Sequence, residues 1–230
     1  VTMLGELSGS IAHELNQPLA SILSNAQAAQ RFMKQDPPDL SEVHDILDDI
    51  VDQDRRAGEV ISRLRGLFKQ GEVQTLPVDV NALVDDAVSI MRNELINREI
   101  NPRVDLTPDL PPAIGDRVHL QQVLLNLIVN GCDAMASVPV TNRVLTIQTS
   151  HGDVGEVRIG VVDRGPGIPD DKLEAVFEPF VTTKGAGMGM GLAISRTIVK
   201  AHRGRLWAEN LAEGGTRLNL TLPVRRNDEA

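Results

Sequence analysis

Two long amphipathic segments, separated by a pair of prolines, constrain the fold of this 230-residue chain more than any other feature. Apolar residues of the first segment recur on one helical face, at Leu4, Leu7, Ile11, Leu15, Leu19, Ile22, Ala26, Ala29 and Met33. A helix is therefore expected to run to about Lys34. It should end at Asp36-Pro37-Pro38, because the first proline disfavours helical backbone at Asp36.

The second segment follows the 4,3 spacing of a helical bundle, at Val43, Leu47, Ile50, Asp54, Ala57, Ile61, Leu64 and Phe68. Ser41, with Glu42 behind it, is expected to begin this helix. Two such helices cannot bury both stripes against each other alone. We therefore expect an antiparallel helical hairpin that forms a four-helix bundle in a homodimer. A bundle within one chain is the alternative, but the remaining sequence predicts no other helices of this length.

His13 lies almost opposite the first apolar stripe, so its imidazole is expected to face solvent. An exposed imidazole beside Glu14 keeps a nucleophilic nitrogen available near neutral pH. Pro18 removes one backbone donor and clashes with the carbonyl of Glu14, which predicts a kink just past the histidine. Taken alone, an exposed helical histidine is more often an ordinary solvated residue than a functional one.

Helices and strands alternate after the second segment, which indicates a different kind of domain. Strands are predicted at 76–80, 103–107, 144–149, 157–163, 205–209 and 216–222, and helices at 81–97, 118–135 and 191–202. This order predicts an α+β fold in which helices cover one face of a mixed sheet. The expected domains are a hairpin at 1–70, a linker at 71–76, an α/β sandwich at 77–224 and a frayed tail at 225–230.

Composition excludes several classes of function. The formal net charge is −9 and no Lys/Arg run occurs, so nucleic acid is not expected as a partner. Cys132 is the single cysteine, so no internal disulfide can form and a reducing cytoplasm fits best. No apolar run approaches the ~20 residues of a membrane span, so no membrane segment is expected in this fragment. We expect a cytoplasmic piece of a longer protein.

Asn126 and Asn130 lie four residues apart on one predicted helix, and Asp133 follows one turn later. Their neighbours are strongly apolar, so these polar groups need partners. One candidate partner is Mg²⁺, which prefers oxygen ligands and accepts amide oxygens. The alternative is that the asparagines bond only to adjacent backbone.

A predicted strand ends in Asp163, which is followed by Gly165 and Gly167 in a turn. A carboxylate held at a strand end can accept from an exocyclic amine such as that of adenine, and glycines let the backbone approach the ring. The same pattern alone would indicate only a turn.

A glycine-rich stretch then opens the last predicted helix. Phe177-Glu178-Pro179-Phe180 and Thr182-Thr183-Lys184 precede three alternate glycines, Gly187, Gly189 and Gly191. Backbone N–H groups at a helix start can bind phosphate, and Lys184 adds a positive charge. A flexible loop would have a similar composition.

The order of these five stretches resembles that of the sensor histidine kinases of two-component systems. Residues 13–19 resemble the H box, 124–134 the N box, 163–167 the G1 box, 177–180 the F box and 187–191 the G2 box. The resemblance implies a dimerisation and phosphoacceptor hairpin, followed by an ATP-binding domain of the Bergerat type. It covers nearly the whole chain.

The resemblance also implies roles for individual residues. His13 would be the phosphoacceptor, Glu14 the acid/base beside it, and Gln17 would stand where many members carry the Thr or Asn that positions water for phosphatase action. Asn130 would bind Mg²⁺, Asp163 would recognise adenine, and Asn126 replaces the water-activating glutamate of related ATPases. The implied nucleotide-binding set is Asn126, Asn130, Asp133, Asp163, Gly165, Gly167, Phe180, Thr183, Lys184, Gly187, Met188, Gly189, Met190, Gly191 and Leu192.

One departure from the family pattern concerns His202-Arg203-Gly204, which replaces the more usual His-Gly-Gly. The left-handed residue that ends the last helix must therefore fall on Gly204 or be tolerated by Arg203.

The expected function is an ATP-dependent protein-histidine kinase core. It would transfer the γ-phosphoryl group of Mg-ATP to His13 and then to an aspartate on a response regulator receiver domain. A Bergerat-type ATPase that does mechanical work is one alternative, and Asn126 in place of an acid disfavours it. A scaffold that does not bind ATP is another, and the glycines together with Asn130 disfavour that.

Overall fold

The computed structural model describes residues 2–68, 76–182 and 189–224 of the chain. The chain divides into two compact units, Val1–Lys69 and Gln70–Ala230. The predicted linker at 71–76 and the predicted frayed tail at 225–230 fall almost entirely outside the described residues, so both stay predictions. No helix in the described ranges is long and apolar enough to cross a membrane.

The first unit consists of two helices that pack against each other, α1 (Thr2–Phe32) and α2 (Leu40–Phe68). Helix α2 begins one residue earlier than the sequence predicts, and Ser41 does not cap it. Asp39 Oδ1 accepts from the backbone N–H of Glu42 at 3.1 Å, so the carboxylate caps the helix.

The buried face of α2 differs in part from the predicted stripe. Val43, Ile46 and Ala57 are buried, whereas Leu47 is 48 % exposed and Asp54 is exposed. The predicted stripe belongs to a four-helix bundle of two chains, so the exposure of Leu47 and Asp54 in one chain leaves that prediction untested. Starting from Val43, a 4,3 spacing passes through Leu47 and a 3,4 spacing passes through Ile46, and both reach Ala57. Since Ile46 and Leu47 are both apolar, the sequence fits either spacing.

The second unit contains the remaining helices and all of the strands. Its helices are α3 (Val80–Asn97), α4 (Arg117–Ala134) and α5 (Gly191–Ala201). Its strands are β1 (Leu76–Val78), β2 (Asn101–Asp105), β3 (Ala113–Gly115), β4 (Val144–His151), β5 (Glu156–Val162), β6 (Arg205–Asn210) and β7 (Thr216–Pro223). Helices α3 and α4 each begin one residue before the predicted start because Asp79 and Asp116 cap them.

The main sheet has the strand order β2-β4-β5-β7-β6, in which β2 is parallel to β4 and the other pairs are antiparallel. Helices α3, α4 and α5 pack on one face, over an aliphatic core that includes Leu124, Leu127, Leu145, Ile159 and Leu220. The predicted α+β fold with a mixed sheet is confirmed. The sequence did not predict β3, which pairs with β1 beside the main sheet.

At the end of α5, an arginine takes the left-handed conformation that glycine has in the more usual family pattern. Arg203 adopts the left-handed conformation with φ of 58°, so the turn falls on Arg203. Gly204 is required for a different reason, because a Cβ there would collide with the backbone oxygen of Thr221. His202 lies beneath the turn: its Nε2 accepts from the N–H of Asp116 at 2.9 Å, and its Nδ1 lies 2.7 Å from Ile198 O.

Replacing the left-handed arginine by glycine should stabilise the protein. We expect Arg203→Gly to raise the free energy of unfolding by about 1 kcal/mol, because strain at a non-glycine left-handed residue exceeds the added chain entropy of glycine. Lys200→Gly, inside the last turn of α5, should lower it by a similar amount. Urea unfolding measures both. A loss of stability in Arg203→Gly would contradict this account of the turn.

Candidate functional site

Asp163, at the end of β5, is held in one orientation by two backbone donors. Its side chain is 4 % exposed, and Oδ1 accepts from the N–H of Gly165 at 2.8 Å and from the N–H of Thr216 at 3.3 Å. The N–H of Asp163 in turn donates to Thr216 O at 3.0 Å. Both bonds use Oδ1, so the backbone of Gly165 and Thr216 fixes the orientation of the carboxylate.

The glycine turn after Asp163 packs against the end of α4. A Cβ on Gly165 would lie 2.8 Å from Ala134 O and 2.9 Å from Asp163 Oδ1, so only glycine fits without a shift. A Cβ on Gly131 would lie 3.6 Å from Asp163 Cβ. The structure thus brings the Asn130 end of α4 beside Asp163. Gly167, two residues further, lies close to Asn210, which bonds to the backbone of Ile168.

The two asparagines of α4 have different surroundings. Asn126 Nδ2 donates to Ser195 Oγ on α5 at 2.9 Å, and a Cβ on Gly191 would collide with Asn126 Oδ1. Asn126 therefore joins α4 to the first turns of α5. Asn130 Nδ2 donates to Asn126 O at 2.8 Å, so one bond of its amide is to adjacent backbone. Its Oδ1 is the atom with the chemistry of a Mg²⁺ ligand.

The described residues contain no group of three or more His, Cys, Asp or Glu side chains that could hold a metal ion. Mg²⁺ commonly binds through one or two protein oxygens, and water and substrate phosphates complete its coordination. A single amide oxygen on Asn130 fits that mode of binding, in which the protein supplies only part of the coordination.

Asp133, predicted to be part of the nucleotide-binding set, is held by an ion pair. Arg98 Nη1 lies 2.6 Å from Asp133 Oδ1, and Arg98 Nε lies 2.7 Å from Glu94 Oε1. This pair ties the end of α3 to the end of α4, which gives Asp133 a structural role. A contact with nucleotide stays a prediction.

Cys132, beside this ion pair, should be unreactive in the native protein. It is 2 % exposed, and burial is the main reason that the pKa of its thiol rises to about 11. At pH 8 only about one thiol in a thousand is ionised. We expect iodoacetamide to label Cys132 slowly in native protein and fully after unfolding in urea, as followed by mass spectrometry. Equal rates in the two states would contradict this expectation.

The predicted phosphate-binding segment is only partly described. Thr183, Lys184, Gly187 and Met188 lie outside the described residues. Gly189 has φ of 63° and a Cβ there would collide with Val181 O, so two constraints require glycine.

The other predicted residues near the start of α5 are described. Met190 is 3 % exposed, which favours a packing role over the predicted contact with nucleotide. Leu192 is half-buried in the first turn of α5. Phe180 is 46 % exposed and has φ of 68°. Phe177 is buried under the guanidinium of Arg196.

The predicted phosphoacceptor segment lies in the first unit. His13 and Glu14 belong to α1 by their backbone, and their side chains are not among those described. Gln17 is exposed. Helix α1 continues through Pro18 to Phe32, and the predicted kink at the proline stays a prediction.

Sequence reasoning missed two residues of this site. Thr216, 4 % exposed, accepts from the N–H of Asp163 with its backbone oxygen and donates its own N–H to Asp163 Oδ1. Ser195, 2 % exposed, accepts from Asn126 Nδ2. The pair Gly214-Gly215 before β7 was a signal for the first, because a Cβ on Gly215 would collide with Asp163 O. Nothing in the sequence singled out Ser195.

Two family models match this chain. The model described as "Histidine kinase-, DNA gyrase B-, and HSP90-like ATPase" matches residues 115–226. The model described as "His Kinase A (phospho-acceptor) domain" matches residues 3–72.

Similar proteins share both parts. The chain is 36 % identical over 222 residues to sensor histidine kinase TmoS of Ectopseudomonas mendocina, covering 96 % of this chain and 23 % of TmoS. It is 37 % identical over 225 residues to sensor protein FixL of Bradyrhizobium diazoefficiens, covering 97 % of this chain and 44 % of FixL. It thus spans less than half the length of either relative. Histidine kinase ThkA, solved in complex with response regulator protein TrrA, has the same fold, with a TM-score of 0.71, 24 % identity, and coverage of 97 % of this chain and 63 % of that one.

Proposed function

Because this chain belongs to the sensor histidine kinases of two-component systems, we propose that it is an ATP-dependent protein-histidine kinase core. It transfers the γ-phosphoryl group of Mg-ATP to His13 and then to an aspartate on a response regulator receiver domain. It acts as a homodimer in the cytoplasm. The observation that supports this most is the fixed Asp163 carboxylate next to the Asn130 end of α4, within the residues that match the ATPase model.

When bound, ATP would supply the γ-phosphoryl group, and Mg²⁺ would neutralise the negative charge of its phosphates. The Asp163 carboxylate would accept from the adenine amine, while Gly165 would let the backbone lie against the ring. Backbone N–H groups at the start of α5, near Gly189 and Gly191, bind phosphate oxygens, and Lys184 adds a positive charge. Asn130 Oδ1 binds the metal. The remaining residues of the predicted nucleotide-binding set line the same region in this proposal.

Asn126 favours transfer to the protein over hydrolysis. Its amide donates to Ser195, and an amide cannot take a proton from water as a carboxylate can. A glutamate at this position would be a general base for attack by water. The proposal therefore assigns Asn126 to holding α5 in place without activating water.

The acceptor chemistry belongs to three residues of α1. His13 is the nucleophile, and its imidazole is reactive near neutral pH in its neutral form. Glu14 orients the imidazole and takes its proton. Gln17, exposed one turn later, replaces a Thr or Asn that positions water for phosphatase action, so that second activity depends on whether its amide can do the same.

Exposed apolar side chains support the homodimer. Leu19 and Leu23 on α1 are 48 % and 60 % exposed, and Leu47 and Val51 on α2 are 48 % and 66 % exposed. Each pair is spaced by four residues and so forms a short stripe on its helix. Burial against a second hairpin, as in a four-helix bundle, would remove this surface from water.

A response regulator as partner is proposed on the basis of the family. ThkA, which has the same fold, has been solved with its response regulator protein bound.

The proposed function is tested by incubating the chain with Mg-ATP labelled in the γ-phosphate, and then with a panel of receiver domains. We expect acid-labile label on the chain that moves rapidly to one or a few receivers. Steady release of phosphate with no labelled chain would indicate the mechanical ATPase instead. If calorimetry detected no nucleotide binding, the scaffold alternative would replace the kinase.

A further inference from the structure

The face of the main sheet opposite the helices carries a row of polar side chains around one glycine. Gly160 on β5 pairs with Gln148 on β4 and with Asn219 on β7, and Asn219 pairs with Trp207 on β6. Side chains that are in register on neighbouring strands point to the same face. Since Gly160 has no side chain, the side chains of Arg217 and Asn219 can lie over it: a Cβ on Gly160 would be 3.9 Å from Arg217 Cδ and from Asn219 Oδ1.

Three buried donor nitrogens on this face have no acceptor among the described residues. They are Asn219 Nδ2, Arg158 Nε and Arg217 Nε, and they are the buried side-chain polar atoms with no hydrogen-bond partner within residues 2–68, 76–182 and 189–224. Asn219 is 2 % exposed. Arg158 pairs with Thr221, two residues after Asn219 on β7, and Arg217 lies two residues before it. The arginines therefore flank the asparagine on one face.

The other ends of these arginines are fixed by weak contacts. The guanidinium of Arg158 lies 5.4 Å from the ring centroid of Trp207, and Arg217 Nη2 lies 3.5 Å from Gln148 Oε1. In the part of the chain that the structure describes, neither guanidinium forms an ion pair with a carboxylate. Both are oriented without being neutralised.

Two carboxylates near the row already accept other hydrogen bonds. Glu209 Oε1 accepts from Trp207 Nε1 at 2.7 Å, and Asp105 Oδ2 accepts from Gln148 Nε2 at 3.3 Å. The guanidinium of a third arginine, Arg205, lies 5.0 Å from the ring centroid of Trp207. By register, Arg103 on β2 also lies on this face. The face therefore carries four arginines together with the carboxylates of Asp105, Glu156 and Glu209, and Glu209 lies directly opposite Arg217.

We propose that Arg158, Arg217 and Asn219, here called the arginine cluster, form a binding site for an oxyanion, either a phosphate or a carboxylate. The ligand would accept from the three N–H groups that have no acceptor, which is the chemistry that a buried donor requires. Guanidinium groups match the planar or tetrahedral arrangement of such oxygens and form charge-assisted bonds with them. This site lies on the face of the sheet away from α4 and α5, and it does not depend on the proposed kinase activity.

The test is a titration of the whole chain, labelled with ¹⁵N, with inorganic phosphate and separately with acetate, at constant ionic strength maintained with chloride. We expect the Nε–H signals of both arginines and the side-chain amide signals of Asn219 to shift along one saturable curve. This readout uses the parent protein, so it does not depend on a variant that folds. It also separates the arginine cluster from phosphate bound near Gly189 and Gly191.

Variants then assign the binding energy. Replacing both arginines, R158Q with R217Q, should weaken the anion at least about tenfold, because two charge-assisted hydrogen bonds are lost. Arg103→Gln removes one exposed charge from the same face, on the edge strand β2. It serves as the control for a general loss of positive charge, and it should weaken the anion far less than the double variant does. Dependence on the two arginines with either anion supports the site, and the tighter anion shows whether free phosphate or a carboxylate fits better. No shift of these signals with either anion, or equal affinity in parent and double variant, would overturn the proposal.

Discussion

Asp163→Asn should lower ATP affinity by about 2 to 4 kcal/mol, or roughly 30- to 700-fold, while the protein stays folded. The new side chain retains an oxygen that can accept from the N–H groups of Gly165 and Thr216, as Asp163 Oδ1 does. It replaces the second oxygen by a donor, which would face the amine of adenine donor to donor. Calorimetric titration with ATP measures the effect.

The chemistry of the base provides a control for this prediction. Inosine triphosphate has a carbonyl oxygen where ATP has its amine, so the amide group that D163N introduces would donate to it. We therefore expect the D163N variant to reverse or remove the parent's preference for ATP over inosine triphosphate. If the variant bound both nucleotides as the parent does, Asp163 would not recognise the base.

Gly215→Ala should destabilise the ATP-binding unit by about 3 kcal/mol or more, because two effects add. Gly215 has φ of 95°, and a Cβ there would also collide with the backbone oxygen of Asp163. The collision cannot be relieved without moving the residue that we propose to recognise adenine. ATP affinity should therefore fall together with stability.

The preceding residue separates the two effects. Gly214 has φ of 88° but no atom within 4 Å of the position of its Cβ, so Gly214→Ala should cost only the backbone strain, about 1 to 2 kcal/mol. Urea unfolding compares the two variants. Equal losses of stability would mean that the contact with Asp163 O contributes nothing.

Much of the fold could be predicted from the sequence, because the periodicity of apolar residues and the turn residues between segments indicated the same element limits. The strands β4, β5, β6 and β7 combine β-branched residues with bounding turns, and the structure places each of them within two residues of its predicted limits. Helix starts were displaced by one residue at Asp39, Asp79 and Asp116, because a capping aspartate lies just before the first apolar residue.

The rest depended on contacts between residues far apart in the sequence. Strand β3 has three residues and pairs with the equally short β1, so periodicity could not reveal it. The bond between Asn126 and Ser195 joins positions 69 residues apart. The arginine cluster exists only because the register aligns Gly160 with Asn219, and that register is not written in the spacing of either strand.

The central claim is that His13 carries the phosphoryl group, and locating the modification tests it most directly. After reaction with Mg-ATP, peptides prepared without acid and analysed by mass spectrometry should carry phosphate on His13. His13→Gln should abolish it, and His44→Gln, which removes an exposed imidazole on α2, should leave it unchanged. Phosphate on His44, acid-stable phosphate on Ser8 or Ser10, or full incorporation in the His13→Gln variant would contradict the account.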